Sequence, residues 1–129
     1  MKRMTAYLFT MLAISLLSAC SGGLGPSDPL PLGTFEGEDR GTETRLVITD
    51  NSYNLIGEAF TKVNGKWQEL GPVGGLNADQ SGDAGPLLSV QPDGPVFDGV
   101  YKEGVFRGNT MTKADNPKRL GTFWFELIE

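Results

Sequence analysis

From residue 33 onward, apolar and polar residues alternate in short runs, and Gly, Asn, Asp and Pro separate those runs. Alternation at a period of two puts successive side chains on opposite faces of a β-strand. Eight runs qualify: 33–38, 43–49, 53–62, 66–70, 87–91, 96–102, 105–112 and 120–128. In the last run Phe123, Phe125 and Leu127 share one side, and Thr122, Trp124 and Glu126 share the other. In the second, Leu46 and Ile48 oppose Arg45, Val47 and Thr49, and in the seventh Phe106 stands beside Gly108 and Thr110. One apolar face and one mixed face are what an antiparallel sheet with a wet side requires. No stretch of a dozen residues spaces its apolar positions at three and four, so no helix beyond a short turn is predicted.

The links carry turn chemistry. Asn64-Gly65 between two alternating runs is the strongest hairpin signal in the chain, and Pro92-Asp93-Gly94 and Glu103-Gly104 are further turns. Asp50-Asn51-Ser52 is expected to take the positive φ angles of a tight hairpin. Short links pair neighbouring strands antiparallel, which predicts an all-β domain built as a small meander of about eight strands. Closure into a barrel, or near closure, is favoured because it removes the edges of such a meander; a two-sheet sandwich is the alternative. Phe35-Glu36-Gly37, Phe97-Asp98-Gly99 and Phe106-Arg107-Gly108 repeat a Phe-polar-Gly triplet, and Leu32-Gly33-Thr34-Phe35 returns as Leu120-Gly121-Thr122-Phe123. A ring beside an empty position on one strand face suits a curved sheet.

The first 32 residues do not follow this pattern. Met1-Lys2-Arg3 is a basic start, 6–17 is an apolar run, and Leu17-Ser18-Ala19-Cys20 closes it with small residues. These are the parts of a secretory signal peptide, and the run is short of the roughly 20 residues a retained membrane-spanning helix needs. Leu17-Ser18-Ala19-Cys20 resembles the lipobox of bacterial lipoproteins. The resemblance implies cleavage after Ala19, a diacylglycerol on the Cys20 thiol and often an acyl group on the new amino terminus. Two or three acyl chains anchor a protein stably where one does not. Ser21 stands where an Asp often retains lipoproteins in the inner membrane, so in a two-membrane cell the outer membrane is implied. Residues 1–19 are then signal peptide, 20–32 a lipidated cysteine with a Gly/Ser/Pro tether, and 33–129 the folded domain. The outline is also similar to small lipocalin-like barrels through Gly33-Thr34-Phe35, with Phe standing where their first strand has Trp.

Composition narrows the chemistry. Cys20 is the only cysteine, so the mature domain has no disulfide and folds through its core alone. The chain has 11 basic and 16 acidic residues; without Lys2 and Arg3, nine basic residues face sixteen acidic ones, a net charge of −7. Such a surface argues against nucleic acid or anionic headgroups as general partners. There is no histidine, which removes His-based acid–base catalysis, Ser-His-Asp triads and most zinc or copper sites. No phosphate-binding or dinucleotide-binding glycine loop is present.

Three sets of residues remain. The acids Glu36, Glu38, Glu58, Glu69, Asp98, Glu103 and Glu126 could serve glycoside hydrolysis if two were paired in a cleft, but the sequence singles out no pair. In the long connection 71–86, Asn77, Asp79, Ser81 and Asp83 partly resemble a calcium loop, with Asn and Ser replacing acids and Leu88 in the place of the bidentate Glu. Turn formation is the other reading of these residues. Tyr53, Trp67, Tyr101 and Trp124 could line a ligand pocket or a partner surface, or pack in the core. The expectation is a membrane-anchored, non-catalytic binding module, without a cofactor, for a small apolar ligand or an envelope partner. A structural lipoprotein without ligand and a carboxylate hydrolase are the alternatives.

Overall fold

The computed structural model describes residues 27–78 and 85–129. Eight strands follow one another: β1 (Gly33–Asp39), β2 (Thr42–Asn51), β3 (Asn54–Val63), β4 (Lys66–Leu76), β5 (Leu87–Val90), β6 (Val96–Lys102), β7 (Val105–Met111) and β8 (Arg119–Leu127). Each pairs antiparallel with the next, and β8 pairs with β1 from Phe35↔Leu127 to Asp39↔Phe123. The meander is therefore a closed barrel, and the sandwich does not form.

Three of the hairpins turn on two consecutive residues of positive φ: Arg40-Gly41 (51° and 84°), Asn64-Gly65 (52° and 78°) and Glu103-Gly104 (52° and 84°). That geometry matches the right-handed twist of the flanking strands. Asp50-Asn51-Ser52 turns differently from expectation, since none of its residues has a positive φ. Instead the Asp50 carboxylate accepts the Ser52 N–H at 3.0 Å, so a side chain closes the turn. β4 also differs. It was expected to stop at residue 70, but it pairs with β3 as far as Asn54↔Leu76 after a bulge opposite Ala59 and Phe60. The glycines and proline of 71–75 read as loop, yet Pro72 sits just past the last β4–β5 pair, Val73↔Val90, where a missing N–H is tolerated. The true connection is shorter by those residues.

The inward positions fill the barrel. Phe35, Phe97, Phe106 and Phe125 are fully buried and Phe123 nearly so. Four of these rings meet one another, edge to face at 5.0 Å for Phe97–Phe123, 5.2 Å for Phe97–Phe125 and 4.8 Å for Phe106–Phe123, and stacked at 5.1 Å for Phe123–Phe125. Leu46, Ile48, Leu55, Ala59, Val73, Leu88 and Val90 complete the packing. The glycines of the Phe-polar-Gly triplets explain how so small a wall closes around five rings. A Cβ on Gly37 would collide with the carbonyl oxygen of Trp124, and one on Gly99 with that of Arg107. Adjacent backbones cross too closely there for any side chain.

Both ends are occupied. Residues 27–32, expected to belong to the tether, lie against the barrel, and Leu30 is buried among the core residues. Asp28 N–H donates to the Tyr101 carbonyl at 2.9 Å and Tyr101 N–H to Ser27 Oγ at 3.0 Å. This entry end also carries the β2–β3 and β6–β7 turns and the C-terminus. At the far end the buried Asp39 carboxylate accepts the Thr110 hydroxyl at 2.7 Å and two Arg40 nitrogens at 3.2 and 2.9 Å. A buried carboxylate is tolerable only with such partners.

Candidate functional site

The four aromatic candidates do not gather in a pocket. Trp67 and Trp124 face outward, Tyr53 lies exposed at the β2–β3 turn, and Tyr101 is half-buried with its ring edge-on to Phe35 at 6.0 Å. Burial and the nearby Asp28 charge hold the Tyr101 hydroxyl above its ordinary pKa.

The two tryptophans share one outer row. Arg107 pairs with Trp124, Trp124 with Glu38, Glu38 with Glu43, and Lys62 with Trp67, while Lys62 Nζ bridges to Glu43 at 3.4 Å. The row runs obliquely across six strands, from β7 through β8, β1, β2 and β3 to β4, as strand stagger in a barrel dictates. At its β4 end the packing is dense. The Arg45 guanidinium lies 4.4 Å from the Trp67 ring centroid and Lys62 Nζ lies 5.2 Å from it. Arg45 is held there by Glu36, whose Oε2 accepts both Nε, at 2.8 Å, and Nη2. The indole is thus an aromatic platform packed against two cations, each tied to an acid. Trp and Arg with a satisfied polar surround are the residue types that concentrate binding energy at protein interfaces.

Arg45, Glu36 and Lys62 were not singled out as a group by sequence. One signal was there: the two-residue turn Asn64-Gly65 sets the β3–β4 register and so places Lys62 opposite Trp67. The Arg45 contact had no such signal, because it spans two strand pairings.

Of the expected acids, Glu58 and Glu69 come together on the outer wall. The hydrogen bond to Glu69 and its charge raise the Glu58 pKa above the ordinary carboxylate value. Both side chains are exposed on the open face of the wall. Of the calcium candidates, Asn77 is buried and engaged: its Oδ1 accepts the N–H groups of Leu30 and Ala78, and its Nδ2 donates to the carbonyls of Asn51 and Leu30. Asp79, Ser81 and Asp83 lie outside the described residues, as does Cys20.

The fold defines the class, a small closed antiparallel meander barrel with a filled interior. Beyond that class, no family model, curated relative or solved structure matches the chain.

Proposed function

We propose that the mature chain is an extracytoplasmic, Cys20-anchored lipoprotein whose barrel is a non-catalytic docking module for an envelope protein, engaged through the outer wall around Trp67. One observation carries the choice between partner and small ligand. The interior volume is taken by Phe35, Phe97, Phe106, Phe123 and Phe125, whereas the platform of Trp67, Arg45 and Lys62 faces outward. An eight-strand barrel either fills itself or holds one small ligand, and the first case supports external recognition. The lipobox resemblance of Leu17-Ser18-Ala19-Cys20 supports the anchor and the placement outside the cytoplasm, in the outer membrane of a two-membrane cell.

Site-specific photo-crosslinking in the native envelope tests this. A photoreactive residue at Glu69, two positions from Trp67 on the same outward face, should give one discrete crosslinked species, and Arg45→Ala in the same chain should abolish it. The same residue at Asn109, exposed on β7 across the barrel from β3, should give none. Equal crosslinking at both positions, or none at either, would sink the reading. The second outcome would favour a structural lipoprotein whose anchor and fold are its whole function.

A further inference from the structure

Leu32, Val63, Leu70 and Leu120 are exposed at separate places, but elsewhere exposed apolar side chains adjoin one another in one patch of the outer wall. Ile56 on β3, Leu76 on β4 and Leu87 on β5 are exposed, with Leu76 paired directly to Leu87 across the strands. Tyr53, the most exposed of the large apolar side chains at 63%, stands at the adjoining turn. Its carbonyl accepts the Asn77 N–H at 2.8 Å, so turn and wall form one surface. All four side chains lie at the entry end of the barrel.

Chain geometry says what covers this patch. Ser27 is tied to the entry end by its hydroxyl, which accepts the Tyr101 N–H. Only seven residue steps separate Ser27 from Cys20. At most about 3.6 Å per step, that stretch reaches no more than about 25 Å. A flexible stretch of that length spans on average only about 15 Å, so an acylated Cys20 holds the entry end nearer the bilayer than the far end. An aromatic tip with aliphatic neighbours is the kind of surface that settles at the headgroup–acyl boundary. The charges choose the lipid. Asp28, Asp50, Glu103 and Glu129 fringe this end, with Lys102 among them. Acids at a membrane surface repel anionic headgroups.

We propose that Tyr53, Ile56, Leu76 and Leu87 dock onto a zwitterionic bilayer surface, so that the barrel stands on its entry end with the far end directed away from the membrane. This rests on the reading of Cys20 as acylated.

The test uses the full, processed protein reconstituted into phosphatidylcholine vesicles that carry a doxyl quencher on their lipids. Cys20 is the only cysteine, so once acylated it leaves an introduced thiol as the sole labelling site. Leu76→Cys, Leu87→Cys and Asn64→Cys are each labelled with an environment-sensitive fluorophore. The first two should lose emission to the lipid quencher and Asn64→Cys should not, and anionic lipid in the vesicles should reduce the loss. Vesicle-bound protein with all three labels unquenched overturns the docking alone. Quenching at Asn64 equal to that at Leu87 means that the barrel lies flat, and also overturns it. Label-to-label self-quenching at Leu87 in sparsely loaded vesicles would make the occupant a second copy and overturn the membrane assignment. If the unsubstituted protein takes label or fails to float with vesicles, Cys20 is not acylated, and both the anchor and the docking fall.

Discussion

Asn77 grips Leu30 on both of its backbone groups: its Oδ1 accepts the Leu30 N–H at 2.8 Å, and its Nδ2 donates to the Leu30 carbonyl at 3.2 Å. The pair joins the segment before β1 to the end of β4, 47 residues away, and holds the Leu30 side chain in the mouth of the barrel. Removing the carboxamide leaves buried backbone groups without partners. Asn77→Ala should therefore cost about 2–3 kcal/mol in urea unfolding. Leu30→Ala should cost a comparable ~2–3 kcal/mol by opening a cavity under the mouth. A wild-type urea midpoint for both variants would show that the segment is not part of the cooperative fold.

Gly37 and Gly99 are the places where the wall bends over the rings. Their missing Cβ atoms would strike neighbouring carbonyl oxygens, and a backbone cannot yield as a flexible side chain does. Gly99→Ala should cost about 3 kcal/mol or more, the upper range for overpacking. Gly65→Ala also puts a Cβ at a positive φ, but into open space, so it carries backbone strain without a collision. Thermal melts of the two variants should rank them in that order.

The contact between Arg45 and Trp67 is half-exposed, so its worth should be modest. A double-mutant cycle of Arg45→Ala and Trp67→Leu should give a coupling of about 0.5–1 kcal/mol. It should persist in high salt better than the Lys62–Glu43 bridge, whose attraction is between exposed point charges. A coupling near zero would mean that the Arg45 guanidinium does not rest on the indole in solution.

Glu58 and Glu69 provide a titration check. The raised Glu58 pKa means that the folded state holds this proton more tightly than the unfolded chain does. The contribution to stability is present below the ordinary glutamate pKa and is lost as pH rises through the folded one. Glu69→Gln should return Glu58 toward the ordinary value, as followed by carboxyl carbon NMR between pH 3 and 7. Persistence of the raised value in that variant would rule out Glu69 as its cause.

The barrel wall is thinnest at β5. It spans four residues and pairs with β6 through only Leu87↔Asp98, Leu88↔Phe97 and Ser89↔Val96. By contrast β7 and β8 pair from Val105↔Glu126 to Met111↔Arg119. Amide hydrogen exchange should open β5 before β7 and β8, because local opening follows the least-paired segment. Equal protection across the three strands would contradict this order.

Strand number, order and the inward set were legible in the sequence because each is local. Period-two alternation told Phe123 and Phe125 from Trp124 without any knowledge of partners, and Asn64-Gly65 carried its own turn geometry. Arg40-Gly41 was missed because arginine is not a usual positive-φ residue; here Asp39 holds its side chain. Residues 71–76 read as loop in the sequence because Gly and Pro weaken a strand pattern, and only pairing with β3 makes them part of a strand. The tertiary structure alone decided that β8 meets β1, that Leu30 turns inward, and that both tryptophans lie in one outer row with Arg45 over Trp67. Those outcomes depend on stagger summed around eight strands and on contacts between residues far apart in the chain. A pattern that repeats every second residue carries no record of either.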